Sequence, residues 1–238
     1  MRPELTVFDG VLLVDKPRGP TSHDVVDQVR RHFGFRKVGH CGTLDPMATG
    51  LLVLVLERAT KIQQRLMSDD KTYEGILRLG IITDSHDADG RVVAEQPVPP
   101  LTPDDLEAVL AKFRGDIWQT PPMVSAVKHA GTPLYKLARK GQVIEREPRL
   151  VHIYELTVLE FEPPDVRLRV TCTKGTYVRT LCHDIGVALG CGGHLAALRR
   201  TRSGRFDVSD ALPLDRVMTL TREQLVPHIV PLLQLAAR

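Results

Sequence analysis

Gly39-His40-Cys41-Gly42-Thr43-Leu44-Asp45-Pro46-Met47-Ala48-Thr49-Gly50 sets one carboxylate among three glycines, a proline, two threonines and a histidine, directly ahead of the apolar run Leu51 to Leu56. Glycines at 39, 42 and 50 open backbone angles closed to other residues and let another molecule approach the chain closely. Pro46 fixes its own φ and disfavours helical geometry at Asp45, which leaves Asp45 extended or in a turn before a rigid bend. Taken alone, Asp45-Pro46 starts a turn in which the Asp bonds its own backbone. Taken with its neighbours, the stretch is a loop that holds a carboxylate up. Leu51 to Leu56 then reads as a strand buried on both sides.

On the N-terminal side, Val11 to Val14 is a short apolar strand broken by Lys16-Pro17-Arg18-Gly19-Pro20. Thr21 or Ser22 caps a helix whose Val25, Val26, Val29 and Phe33 share one face, and Gly34 stops it. On the C-terminal side, Ala59 to Met67 reads as a helix. Thr72 to Leu79 alternates, with Tyr73, Gly75, Leu77 and Leu79 on one face. Thr102-Pro103-Asp104-Asp105 starts a helix that buries Leu106, Val109, Leu110 and Phe113 and ends at Gly115. Leu134 to Lys140 reads as a short basic helix. Leu150 to Phe161 and Val166 to Cys172 pair as a hairpin across Pro163-Pro164-Asp165, and Thr180 to Leu189 is again helical. Thr221 to Ala237 is expected to form one amphipathic helix with Leu225, Ile229, Leu232 and Leu233 turned inward. Hairpins mixed with helices give an α+β fold around a mixed, mainly antiparallel central sheet flanked by helices.

Composition narrows the function classes. With 238 residues and 42% hydrophobic content, the chain buries one large core or two smaller ones. No apolar run approaches the roughly 20 residues that span a bilayer, and Met1-Arg2-Pro3-Glu4 lacks a basic segment followed by an apolar one. A cytoplasmic location is expected. Cys41, Cys172, Cys182 and Cys191 read as free thiols, with a zinc site on Cys182, His183, Cys191 and His194 as the sharper alternative that lacks a Cys-x-x-Cys knuckle. Ser85, Asp87 and Asp89 before Gly90 imitate a calcium loop, but Gln96 stands where the closing Glu belongs. A hairpin turn on Asp89-Gly90 is the reading adopted. No metal or other cofactor is expected. The sequence contains no phosphate-binding Gly-rich loop of the nucleoside triphosphate or dinucleotide kind.

The net charge is only +3, yet basic residues gather at Arg30, Arg31, Arg36 and Lys37, at Lys136, Arg139 and Lys140, and at Arg199, Arg200, Arg202 and Arg205. These clusters are either a face for a phosphate backbone or three solvated helix ends. A second constellation, Thr173-Lys174-Gly175-Thr176-Tyr177-Val178-Arg179-Thr180-Leu181, falls where a strand gives way to a helix. An Arg at such a junction is able to meet the Asp45 carboxylate in a planar two-point pair that keeps it ionised, or is simply a surface Arg.

Both stretches resemble the two signatures of the TruB family of pseudouridine synthases. Further matching segments are Leu13-Val14-Asp15-Lys16-Pro17, Asp70-Lys71-Thr72-Tyr73-Glu74, the acidic turn Thr83 to Gly90, Phe113-Arg114-Gly115-Asp116-Ile117, Pro122-Met123-Val124-Ser125-Ala126-Val127-Lys128 and Leu134 to Gly141. The last has the form of the bacterial tRNA enzymes. The likeness runs over about residues 9 to 210, the expected catalytic domain. Residues 211–238 are expected to be a short helical tail and not a separate C-terminal RNA-binding domain.

The resemblance implies isomerisation of uridine to pseudouridine at position 55 in the T-arm of tRNA, by a monomer whose partner is that RNA. It implies Asp45, Tyr73 and Arg179 as catalytic residues, Asp45 acting as nucleophile or base after the target base leaves the stack. It implies His40, Tyr177, Leu198, Lys16 and Lys128 as substrate contacts, His40 through stacking and not acid-base work, with a structural His bonded to backbone as the competing reading of that position. Two other classes compete: a noncatalytic RNA chaperone on the same basic face, and a glycosidase-like hydrolase pairing Asp45 with a second carboxylate such as Asp184.

Overall fold

The computed structural model describes residues 5–123, 125, 128–129, 132–133, 142 and 144–236. In chain order the elements are β1 (Gly10–Lys16), α1 (Ser22–Phe33), β2 (Val38–His40), β3 (Thr49–Leu56), a 3-10 segment (Glu57–Ile62), α2 (Gln63–Met67), β4 (Lys71–Leu79), β5 (Ile81–Thr83), β6 (Val92–Glu95), α3 (Pro103–Leu110) and β7 (Gly115–Gln119). They continue with β8 (Lys128–His129), β9 (Thr132–Pro133), β10 (Arg149–Glu162), β11 (Asp165–Cys172), α4 (Val178–Ala188), β12 (Gly193–Ser203), β13 (Phe206–Asp207), β14 (Leu212–Pro213), α5 (Leu214–Val217), α6 (Arg222–Leu225), β15 (Ile229–Pro231) and α7 (Leu232–Ala236). This is the mixed α+β architecture expected. Two compact units share the chain: residues 1–73 with 199–238, and residues 74–198.

In the first unit, β1 and β3 run antiparallel from Gly10↔Leu56 to Lys16↔Gly50. The other edge of β1 is shared by β14, in parallel, and β15, antiparallel. The start of β3 pairs in parallel with the end of β12 at Arg199↔Thr49 and Arg200↔Gly50. Leu51 to Leu56 is buried throughout, as expected of a strand covered on both faces. A core of Val11, Leu13, Leu51, Val53, Val55 and Phe206 follows from it. Each such aliphatic side chain contributes about 1.5–3 kcal/mol by leaving water. Helix α1 begins with Thr21 as cap in a capping box with Asp24, buries Val25, Val26, Val29 and Phe33, and closes on Gly34 in left-handed backbone.

Two expectations fail in this unit. The segment expected as one helix over Ala59 to Met67 starts as 3-10 turns and becomes α-helical only at Gln63. The tail expected as one helix is broken into α6, a 3-10 turn, β15 and α7. The cause is Pro227 and Pro231, which remove amides a continuous helix needs, together with pairing of Ile229–Pro231 to β1. Leu225 and Ile229 do face inward, but Leu233 is 69% exposed and Leu235 takes the buried place instead.

In the second unit, β10 and β11 form the expected hairpin, with Phe161 opposite Val166 and Leu156 opposite Val170, and β7 pairs with the other edge of β10. Val166, Leu168, Val170 and Cys172 alternate inward along β11. Helix α3 starts at Thr102 with the expected cap and buries Leu106 and Leu110, while Val109 and Phe113 are only half-buried. Strands β5 and β6 form a hairpin around the acidic turn. The basic helix expected over Leu134 to Lys140 lies outside the described residues. Among the described residues no helix is long and apolar enough to cross a membrane, and no three His, Cys, Asp or Glu side chains gather as a metal site. All four cysteines are buried free thiols, and burial pushes those of Cys41 and Cys182 up to about 12.

Candidate active site

Asp45 lies in the connection between β2 and β3, which pair antiparallel through His40↔Leu54. The residue before it is locked from outside the loop. Ser22 Oγ accepts from the Leu44 amide at 2.8 Å and donates to the Leu44 carbonyl at 3.0 Å, both in buried surroundings. Thr21 takes the capping duty, which leaves the Ser22 hydroxyl for this task. After Asp45 the chain turns at once, its carbonyl accepting from the Ala48 amide at 3.0 Å with Pro46 in the bend. The Asp45 side chain is half-buried. The loop ends at Gly50, whose φ of 98° and close approach to the Arg200 backbone exclude a side chain.

Cations underpin this loop from below. Lys16, fully buried at the end of β1, donates from Nζ to the carbonyls of Pro17 at 2.9 Å, Pro20 at 2.8 Å and Pro46 at 3.4 Å. Burial lowers its pKa to about 8, against the attraction of the Asp45 charge. Its ammonium therefore organises the loop backbone around Asp45. Arg200, 1% exposed, donates from Nε to the Leu51 carbonyl at 2.7 Å and from Nη2 to the Gly42 carbonyl at 3.1 Å. It belongs to the interior and not to a surface basic cluster. Its neighbour Arg199 points the other way along the strand and makes a two-point pair with Asp15 at 3.0 and 2.6 Å. Lys71 caps the carbonyls of Met67 and Asp69. His40 is half-buried, and among the described residues its Nδ1 has no hydrogen-bond partner within reach. Burial first, and then the charges of Arg200 and His23, lower its pKa and keep the ring neutral at pH 7. Tyr73, half-buried on β4, shares the alternating face with buried Gly75, Leu77 and Leu79.

In the second unit, Tyr177 and Arg179 come together at the start of α4, Tyr177 in the cap position without a side-chain cap of its own. Arg179 is 3% exposed. Its Nη1 donates to Asp87 Oδ2 at 3.1 Å and to the Ser85 carbonyl at 3.3 Å. Asp87 is itself buried and also accepts from Ser85 Oγ at 2.5 Å and the Asp89 amide at 3.1 Å. The acidic turn is thus an arginine receptor, fastened to β12 by the Ala88 amide on the Leu195 carbonyl and the Leu195 amide on the His86 carbonyl, each at 3.0 Å. His86, in left-handed backbone, stacks on His183 with ring centroids 3.9 Å apart. Leu198 is buried on β12, and Lys128 falls in β8.

Sequence reasoning found the Asp45 loop and the Arg179 helix start. It did not find Ser22 as a loop clamp, Arg200 as an interior residue or Asp87 as a partner of Arg179. Period-two alternation along β12 was the available signal for Arg200, since Arg199 and Arg200 must face opposite ways in a strand.

Residues 30–178 match the TruB family pseudouridylate synthase N-terminal domain, and residues 179–235 match the tRNA pseudouridylate synthase B C-terminal domain. A tRNA pseudouridine synthase B of Opitutus terrae is 53% identical over 96% of this chain and 95% of its own length. One from Francisella philomiragia is 53% identical over 93% of this chain and 74% of its own. Among solved structures, a chain of a Cbf5-Nop10-Gar1 complex superposes with a TM-score of 0.75 at 34% identity, covering 94% of this chain and 60% of the solved one. With its signature carboxylate loop, its fold and these likenesses together, the chain belongs to the TruB family of pseudouridine synthases.

Proposed function

We propose that the chain isomerises uridine to pseudouridine at position 55 in the T-arm of tRNA, with Asp45 as the catalytic carboxylate. The observation that carries this is the Asp45 loop itself: a half-buried carboxylate whose flanking backbone is fixed by Ser22 on one side and a Pro46 turn on the other. Such preorganisation suits a group that must meet a reacting carbon without searching for it.

The extruded uridine is held with its glycosidic bond at Asp45. The carboxylate either attacks the anomeric carbon or takes a proton from the ribose. In both cases the bond between that carbon and N1 breaks, and its electron pair leaves with uracil. The detached ring turns and C5 bonds to the anomeric carbon as the carboxylate either leaves that carbon or returns the ribose proton, after which the C5 proton is lost to a base and N1 regains a proton. Product and substrate are isomers, so no cofactor enters. Tyr73 serves the closing proton transfer, and Arg179 supplies the countercharge for the Asp45 carboxylate. Tyr177, Leu198 and Lys128 are assigned to the uridine pocket and its RNA, while Lys16, expected as a substrate contact, is fully buried and acts through the loop backbone instead. His40, neutral at pH 7, contacts the flipped region by stacking. The catalytic region is residues 9–210 with 211–238 as a tail, and the protein works as a cytoplasmic monomer on tRNA.

The test is tritium release from uracil labelled at C5 in a T-arm stem-loop. Wild-type protein is expected to release tritium, and Asp45→Asn to do so at least about 1,000-fold more slowly while binding the RNA. Retained release in Asp45→Asn removes the assignment.

A further inference from the structure

We infer that Gln119 is a positioning residue for Tyr177 and Arg179, an inference that rests on the function proposed above. Gln119 ends β7, is 2% exposed, and belongs to no motif whose role has been assigned. Its primary amide reads both backbone groups of Tyr177. Oε1 accepts from the Tyr177 amide at 2.7 Å, and Nε2 donates to the Tyr177 carbonyl at 3.0 Å. A side chain here does what a neighbouring strand does for a residue in a sheet.

The place matters because α4 starts without a side-chain cap. The Tyr177 carbonyl also receives the Leu181 amide at 3.0 Å, so Gln119 grips the first hydrogen bond of the helix as well. Upstream, Gly175 with φ of 86° and the Thr173–Thr176 turn reverse the chain just before the grip. Two residues downstream of the grip, Arg179 projects from the first turn of α4. Gln119 therefore fixes where the Tyr177 ring and the Arg179 guanidinium begin. A buried amide satisfied on both its atoms is also held in one rotamer, which makes it a rigid reference and not a tether.

Two variants separate this role from general stability. Gln119→Met keeps length and loses both bonds. Gln119→Asn keeps the amide on a stem one methylene shorter. For Gln119→Met the saturating rate of tritium release should fall by about 10- to 100-fold with stem-loop Kd within about 2-fold of wild type, because misplacement of about 1 Å costs that much in rate and little in binding. Gln119→Asn should fall less. Hydrogen exchange of the peptide covering residues 176–182 should accelerate by about 10-fold in Gln119→Met, with β1 and β3 unchanged. Unchanged exchange in that peptide overturns the anchoring, whatever the activity. Accelerated exchange with an unaltered rate, or a loss appearing only in Kd, overturns the positioning. Should Gln119→Met fail to fold, the same readings on Gln119→Asn decide. Wild-type protein that releases no tritium overturns the function and the positioning with it, while the exchange arm still decides the anchor.

Discussion

Asp45 is carried by a loop pinned through hydrogen bonds to its backbone, from the Ser22 hydroxyl and the Lys16 ammonium, whereas Arg179 is carried by a helix start pinned through a buried ion pair. In the loop, Ser22 and Lys16 spend their hydrogen bonds on the carbonyls and amide of Leu44, Pro17, Pro20 and Pro46. At the helix start, Asp87 meets the guanidinium directly with both side chains removed from water. The loop arrangement fixes where the chain runs and leaves the Asp45 side chain half-exposed for another molecule. The helix arrangement fixes a charge. The first tolerates the loss of one bond, because others remain. The second is more sensitive, because taking a countercharge from a guanidinium in the interior is costly.

Removing Asp87 is the strongest way to break this contrast. Asp87→Ala leaves a guanidinium that is 3% exposed short of a carboxylate, and it strips acceptors from Ser85 Oγ and the Asp89 amide. The expected loss is about 3–5 kcal/mol in urea unfolding. Asp87→Asn, which keeps an acceptor but not the charge, should lose less. Equal losses from the two would show that hydrogen bonds, and not charge, hold the helix start.

Ser22→Ala is the matching experiment on the loop. It leaves the buried Leu44 amide and carbonyl without this partner and should cost about 1–3 kcal/mol. Because Pro46 and Lys16 still shape the loop, the rate of tritium release should fall by no more than about 10-fold while RNA binding stays near wild type. A loss of stability as large as that of Asp87→Ala would erase the distinction between the two regions.

The same contrast explains what could be read from the chain. The Asp45 loop was legible because its determinants are contiguous: glycines, Pro46 and the strand after it act on neighbouring residues. The run Leu51 to Leu56 and the cap at Thr102 were legible for the same reason. Asp87 as a partner of Arg179 was not, since the pair is separated by 92 residues and local chemistry says only that an acidic turn ends at a glycine. Arg200 was read as part of a basic cluster because composition does not distinguish the two faces of a strand. In the tail, spacing of Leu225, Ile229 and Leu232 suggested one helix, and the pairing of β15 with β1 overrode that periodicity. Pro227 and Pro231 were the local signal against it.

The smallest effect expected sharpens the comparison through pH. His86 lies beside Arg179 and is stacked on His183, with Arg146 also near. Burial first, then these three cations or potential cations, lowers its pKa from 6.5 to about 4. In the unfolded chain the imidazole takes a proton near pH 6.5, and in the folded protein only near pH 4. The stability it contributes is therefore complete above about pH 6.5 and is lost as pH falls toward 4. Allowing for solvent screening of a partly exposed ring, the loss is on the order of 1 kcal/mol. His86→Asn is the suitable control, since Asn tolerates the left-handed backbone at φ of 64°. Urea unfolding at pH 7 and pH 5 should show a steeper fall for wild type than for His86→Asn. The Asp45 loop offers a check, because the pKa of His40 is lowered in the same direction by burial. If His86→Asn leaves the acid slope unchanged while a substitution at His40 flattens it, the acid-sensitive region is the loop, and the Arg179 helix start is held by something other than its buried charges.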